Sequence, residues 1–306
     1  MTKSIALIIL NWKQPQLTFD TIDSIFKCQV QDFKYHIFLV DNGSPDDSLA
    51  QFKVKYGKNS EVTILETGVN LGYAGGNNFG LKKALKLKYD YFLVANNDIL
   101  VAPDFLQKLF NASQKNPDAV LTPKIYFAPG YEFHKDRYSK HEIGKVIWAV
   151  GSQIDWHNIY GSNIGIDEVD HGQYDKVQPP IDFISGCCFL ISKEIIKKIG
   201  IFDERYYLYM EDSDLTERAK IAGYQLLLVP ESVIWHCNSG SSKPGSSLQD
   251  YFITRNRLIF GFNYASFRTK FALFRESIRF LFTGSPWRKR GVRDFYLGRL
   301  GKGSWQ

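Results

Sequence analysis

Apolar residues fall in short continuous runs over the first 125 positions, with amphipathic stretches between them. The runs at 4–10 (SIALIIL), 35–40 (YHIFLV), 61–66 (EVTILE), 89–95 (YDYFLVA) and 119–125 (AVLTPKI) predict strands. The stretches at 15–26, 45–56, 75–87 and 103–113 predict helices, and Pro15 suits a first helical turn. Strands that are apolar throughout, alternating with helices, imply an α/β fold whose mostly parallel sheet is covered on both faces. From 126 to 180 the alternation stops, and a segment rich in Tyr, His, Gly and Asp shows no period. Long irregular segments inside compact domains are usually functional or mobile. A strand is expected at 181–192, a short helix at 192–200 closed by Gly200, a helix at 211–223 and a strand at 224–230 ended by Pro230. The stretch 238–247 (NSGSSKPGSS) has loop composition, and helices rich in Phe and Arg are expected from 248 onward.

In a doubly wound sheet, ligands sit beyond the carboxyl ends of the strands. The residues there are Asn11 after the first run, Asp41-Asn42-Gly43-Ser44 after the second, the stretch from Thr67 to Asn78 after the third, and Asn96-Asn97-Asp98 after the fourth. Asp41 reads either as an acceptor for a nucleobase or ribose, or as part of an ordinary turn. The glycine-rich 72–80 (GYAGGNNFG) reads either as a phosphate cradle or as a tight turn and helix cap. Asp98 can hold a divalent cation between phosphates, or cap a helix before Pro103. His236 is a metal ligand or a structural histidine.

Composition narrows the class. Of 306 residues, 44% are hydrophobic and 23% charged, as in a globular protein. The four cysteines have neither zinc spacing nor a disulfide pattern, and read as reduced thiols. The apolar run Ile5 to Leu10 is too short for a signal-peptide core, and no run reaches membrane-spanning length. The net charge of +6 is uneven, because 264–306 holds ten basic residues and two acidic ones. That region reads as a basic amphipathic helical tail following a body of 1–263, either suited to anionic lipid or packed on the body with its basic residues on the wet face; no nucleic-acid motif accompanies the charge.

The ordered set ILNW (9–12), VDNGS (40–44), NLGYAGGNN (70–78), VANNDILV (94–101), IDFISGCCFLIS (181–192), FDERYYLYMEDSDL (202–215) and WH (235–236) resembles the family 2 glycosyltransferases, especially their rhamnosyltransferase-like branch. The resemblance covers about 250 residues in the family's order. It implies a GT-A fold, a Rossmann-like sheet with a nucleotide-binding half (1–125) continuous with an acceptor-binding half (126–263). It also implies an inverting transfer from a UDP- or dTDP-sugar to a glycan or lipid-linked acceptor in bacterial surface polysaccharide synthesis.

Asp212 then looks like the catalytic base. Asn11, Asp41, Asn70, Gly72, Gly76, Asn77, Asn96 and Asn97 would serve the donor. Asp98 and His236 would hold Mg2+ or Mn2+, although Asn-Asn-Asp stands where many relatives have Asp-x-Asp. Glu211, Trp235, Arg255 and Arg257 are expected near acceptor or phosphate. The implied place is the cytoplasmic face of the membrane, as a peripheral protein. A sugar nucleotidyltransferase and a non-catalytic nucleotide- or glycan-binding module are the alternatives.

Overall fold

The computed structural model describes residues 2–238 and 245–305. The expected loop at 238–247 therefore lies largely outside the described residues. The first part of the chain is built from β1 (Lys3–Asn11), α1 (Pro15–Phe26), β2 (Phe33–Asp41), α2 (Ser48–Tyr56), β3 (Val62–Glu66), α3 (Gly72–Leu85), β4 (Tyr91–Asn96), β5 (Ile99–Val101), α4 (Phe105–Lys115) and β6 (Ala119–Phe127). The chain continues through β7 (Ile147–Ala149), β8 (Ser152–Asp155), β9 (Tyr160–Asn163), β10 (Cys188–Ser192), α5 (Lys193–Ile199), α6 (Glu211–Ile221) and β11 (Gln225–His236). Three helices follow: α7 (Ser247–Tyr264), α8 (Phe267–Thr283) and α9 (Pro286–Tyr296).

The large sheet has the order β3-β2-β1-β4-β10-β6-β11-β5, with β7 beside β6. Strands β3, β2, β1 and β4 run parallel, as do β6 and β11. Antiparallel β10 joins the two halves, so the sheet is mixed. Both faces are buried. One carries a core around Ile5, Leu7, Leu39 and Leu93; the other carries one around Ile8, Val40, Val94 and Phe189. Successive strand residues alternate between these cores, which is why the runs are apolar throughout.

Register explains how the polar ends converge. Asn11 pairs with Asp41, Asp41 with Glu66, and Leu10 with Asn96, so these ends share one sheet edge. The glycines of α3 let that helix lie close to the sheet. A Cβ at Gly76 would sit 2.5 Å from Leu10 Cδ1, and one at Gly80 would sit 2.8 Å from Ile8 Cγ2.

Three expectations change. The run 181–192 is a strand only from Cys188; residues 181–187 form a loop and an isolated bridge. Strand β11 passes through Pro230 to His236, because the register to β6 shifts between Val229 and Val233, and a bulge tolerates a residue with no N–H. The irregular segment contains the small β8–β9 hairpin.

The basic region after 263 is folded onto the body. Helices α7, α8 and α9 share a core in which Leu258, Leu273, Phe280 and Val292 meet Ile154, Ile159, Phe183 and Tyr206. The opposite side of α8 is different. Phe267, Phe271, Phe274, Ile278, Leu281 and Phe282 are exposed there, Phe267 by 86% and Phe282 by 76%. Their spacing puts them on one stripe, which Arg268, Arg275 and Arg279 flank on one side and Lys270 on the other. Among the described residues, no helix is long and apolar enough to cross a membrane.

Candidate functional site

A cleft of about 400 Å³ opens at the carboxyl edge of β1, β2 and β4. Asn70, Gly72, Asn96, Asn97 and Asp98 line it, together with Trp12, Gln14, Asn42, Tyr73 and Tyr207. Lys302 and Trp305 reach it from the segment after α9.

A polar network stands behind the wall. Asn11 is fully buried and donates from Nδ2 to Asp41 Oδ1 at 3.1 Å; the Ser44 amide donates to Asp41 Oδ2 at 3.1 Å. Asp41 thus holds the turn after β2, and each of its oxygens retains a further acceptor position. Asn97 donates to Thr18 Oγ1 at 2.9 Å, and Thr18 donates to Asn11 Oδ1 at 2.9 Å. Asn42 accepts from the Leu71 amide at 3.0 Å and donates to the Gly72 carbonyl at 3.1 Å, which fixes the entry to α3. Gly72 has φ +72°, and a Cβ there would meet the Tyr207 carbonyl at 2.5 Å. Gly76 and Asn77 lie inside α3: Gly76 against the sheet, and Asn77 buried with Nδ2 donating to the Tyr73 carbonyl at 3.0 Å.

Asp98 follows β4 in the cleft wall, and His236 ends β11 behind it. His236 Nε2 lies 3.1 Å from Asp98 Oδ1, and the imidazole packs edge-on against Trp148. The buried His236 Nδ1 has no partner among the described residues. Among the described residues no group of three or more His, Cys, Asp or Glu can hold a metal ion. Two protein donors, one carboxylate and one imidazole, fit a divalent ion that takes its other ligands from substrate phosphates and water. Trp235 alternates to the other face of β11, where its Nε1 donates to the Gly144 carbonyl at 2.8 Å.

The acids at the start of α6 have three different environments. Asp214 is buried and accepts from Arg218 Nε at 2.8 Å and Tyr264 Oη at 2.8 Å, so it ties α6 to α7. Glu211 is buried with Oε2 unpartnered among the described residues; burial, then the charge of Asp212, push its carboxyl well above the usual range. Asp212 accepts from the Gly186 amide at 2.8 Å and from the Ser213 amide at 2.7 Å. Burial raises its pKa, and those two amides work against the rise. Tyr73, in the cleft wall, donates to the Gly186 carbonyl at 2.6 Å, so Asp212 adjoins the wall through Gly186.

Arg255 and Arg257 do not line the cleft. Arg255 is fully buried, with Nη2 donating to the Tyr206 carbonyl at 3.0 Å. Arg257 donates from Nε to the Asn158 carbonyl at 3.1 Å and pairs with Glu276 at 3.0 Å. Both guanidiniums are occupied by the fold. Lys302 and Trp305 were not legible as site residues, because only the fold-back of the segment after α9 brings them there.

Comparison with known proteins gives a consistent result. The family model described as glycosyl transferase family 2 matches residues 7–200. The chain is similar to an N-acetylglucosaminyl-diphospho-decaprenol L-rhamnosyltransferase of Mycobacterium tuberculosis, with 28% identity over 230 residues, 69% of this chain and 70% of that protein. It is also similar to a low-salt glycan biosynthesis hexosyltransferase of Haloferax volcanii, with 23% identity over 72% of this chain and 62% of that protein. The fold matches GalNAc-T7, solved with UDP, GalNAc and Mn2+, at a TM-score of 0.68 and 16% identity, over 96% of this chain and 54% of that one. The chain thus spans about half of that structure. A mannosyltransferase from Pyrobaculum calidifontis, solved with GDP-Man and Mn2+, matches at a TM-score of 0.54 and 14% identity, over 96% of this chain and 74% of that one. The fold is therefore of the GT-A type.

Proposed function

From the premise that this chain belongs to glycosyl transferase family 2, we propose that it moves rhamnose or a similar hexose from a UDP- or dTDP-sugar to a lipid-linked glycan, with inversion, at an anionic membrane face. The observation that carries this reading is one cleft lined by Asp98, with His236 3.1 Å behind that carboxylate and Asp212 joined to the Tyr73 wall through Gly186. An inverting transfer is a single in-line displacement, so the acceptor hydroxyl loses its proton as it attacks. Asp212 is the base: its carboxylate is oriented by two amides, and its raised proton affinity suits proton uptake. Glu211, buried behind it, keeps a carboxyl that resists ionisation, which limits repulsion between the neighbours.

The donor side rests on Asn70, Asn96 and Asn97, with Asn11 and Asp41 holding the turns that present them. Asp98 and His236 would hold Mg2+ or Mn2+, which when bound would neutralise the leaving diphosphate. The mycobacterial relative, named for a diphospho-decaprenol-linked acceptor, supports a lipid-linked acceptor here. The exposed apolar stripe of α8, with basic residues on both sides, supports peripheral binding to anionic lipid. Surface polysaccharide synthesis at the cytoplasmic face of the membrane is the setting that joins these features. Asn96 and Asn97, standing where acids would bind metal, favour a non-catalytic module as the second reading.

A thermal-shift panel of nucleoside diphosphates and sugar nucleotides, with and without Mn2+, tests the proposal. A rise in melting temperature with UDP or dTDP that grows with metal is expected. Folded protein that responds to none of them refutes the donor site; binding without sugar transfer to any lipid-linked acceptor points to the non-catalytic module.

A further inference from the structure

The segment after α9 is fastened in place. Buried Asp294 accepts from the Ser304 amide at 2.8 Å and from Ser304 Oγ at 2.5 Å, and the hydroxyl of Tyr251 donates to the same carboxylate. The Gly301 amide donates to the Arg205 carbonyl at 2.8 Å. Gly303 has φ +58°, and a Cβ there would lie 2.1 Å from Tyr251 Oη, so only glycine fits. Trp305 packs on Trp287, with ring centroids 4.5 Å apart, and on Tyr251 and Phe252. These contacts set Lys302 at the cleft mouth.

Lys302 is the only basic side chain among the described residues that line the cleft, and Asp98 is the only acid. The Lys302 ammonium has no ion pair among the described residues, and the nearby Arg255 is spent on backbone carbonyls. A pinned backbone that presents an ammonium, without an ion pair among the described residues, to a cleft whose polar lining is mostly neutral amides is suited to an anion. We propose that Lys302, held by the Ser304–Asp294–Tyr251 cluster, binds a substrate diphosphate in this cleft.

This rests on the glycosyltransferase reading above, which supplies two diphosphates: that of the nucleotide donor and that of a lipid-linked acceptor. Calorimetric titration of the whole chain separates them. Lys302→Gln should weaken UDP or dTDP binding roughly ten- to a hundredfold, the range for a lost charge-assisted bond, and leave uridine or thymidine binding unchanged. Lys302→Arg should restore most of the loss. That pattern assigns Lys302 to the donor. Unchanged nucleotide binding with equally weakened binding of a short-chain lipid diphosphate sugar assigns it to the acceptor. If both ligands bind Lys302→Gln as well as they bind the native chain, the proposal is wrong and the donor site stands. If the native chain binds no nucleoside diphosphate, the reading of the cleft falls and takes this proposal with it. Lys302 is exposed, so the variant should keep its melting temperature.

Discussion

Replacing Phe271 by serine tests the proposed membrane face of α8 directly. The residue sits in the middle of the outward stripe and is 55% exposed, so its ring is only partly used in packing. On a side chain of roughly 200 Å², that exposure leaves about 110 Å² for lipid, worth about 3 kcal/mol at 25 cal/mol per Å² if all of it enters the acyl boundary. The expected loss in vesicle partitioning is therefore up to roughly a hundredfold. The assay is co-sedimentation with vesicles of anionic lipid, repeated with neutral lipid and at two salt concentrations. Phe271→Ser should lose binding at both salts while its melting temperature changes little. Arg268→Gln, Arg275→Gln and Arg279→Gln should each lose about 1 kcal/mol on anionic vesicles only, and less at high salt. Folded Phe271→Ser that sediments like the native chain refutes the reasoning, because the stripe would then be exposed without touching lipid.

Further predictions concern the site. Asp212→Asn should abolish transfer and leave donor binding intact by titration, and native activity should fall with acid at a higher pH than an ordinary aspartate would give, because burial raises this carboxyl. Glu211 has its folded pKa raised above the unfolded value, so its contribution to stability is complete below pH about 4.5 and is lost as pH rises through the folded pKa. Glu211→Gln should remove that decline, which denaturant melts across pH will reveal. Asn256→Ala strips a donor from the carbonyls of Tyr206, Leu208 and Tyr209 and should destabilise the fold by about 3 kcal/mol, measured by chemical denaturation. Gly76→Ala forces a Cβ against Leu10 and should lower stability by about 1–3 kcal/mol, less any gain in helix propensity.

What the sequence revealed follows from how each element is stabilised. Strands β1, β2 and β4 are buried on both faces, so their apolar runs mark them well. Strands β5 and β7, of three residues each, are fixed by pairing and leave no run to read. The run 181–187 looks like more strand, yet it leaves the sheet, and its Gly186 amide binds Asp212. Asn11, Asp41 and Asn96 could be placed together because the register of a parallel sheet aligns the ends of its strands. Arg255 and Arg257 sit away from the cleft lining, and the local sequence carries no sign of which carbonyls will occupy a guanidinium. Lys302 and Trp305 are contributed by long-range folding, which no local pattern announces.

The stretch before α6 shows why the helices after residue 246 belong to the site. Tyr207, Tyr209 and Met210 all have positive φ, at 65°, 69° and 70°. Left-handed backbone at residues other than glycine persists only where surrounding contacts hold it, at about 1–3 kcal/mol each. Those contacts come from α7. Asn256 donates to the carbonyls of Tyr206, Leu208 and Tyr209; Arg255 donates to those of Arg205 and Tyr206; Phe252 stacks on Tyr207 at 5.2 Å. Tyr251, on the same helix, meets Asp294 and so fastens the loop that carries Lys302. One helix thus fixes both the strained lead-in to Asp212 and the Lys302 wall of the cleft. It is packed in turn against α8, whose outer face carries the apolar stripe. A lipid surface met by α8 would therefore lie one packed layer from the helix that shapes the cleft. On this arrangement the helices after residue 246 shape the cleft, and on the proposed reading the outer face of α8 would meet the membrane.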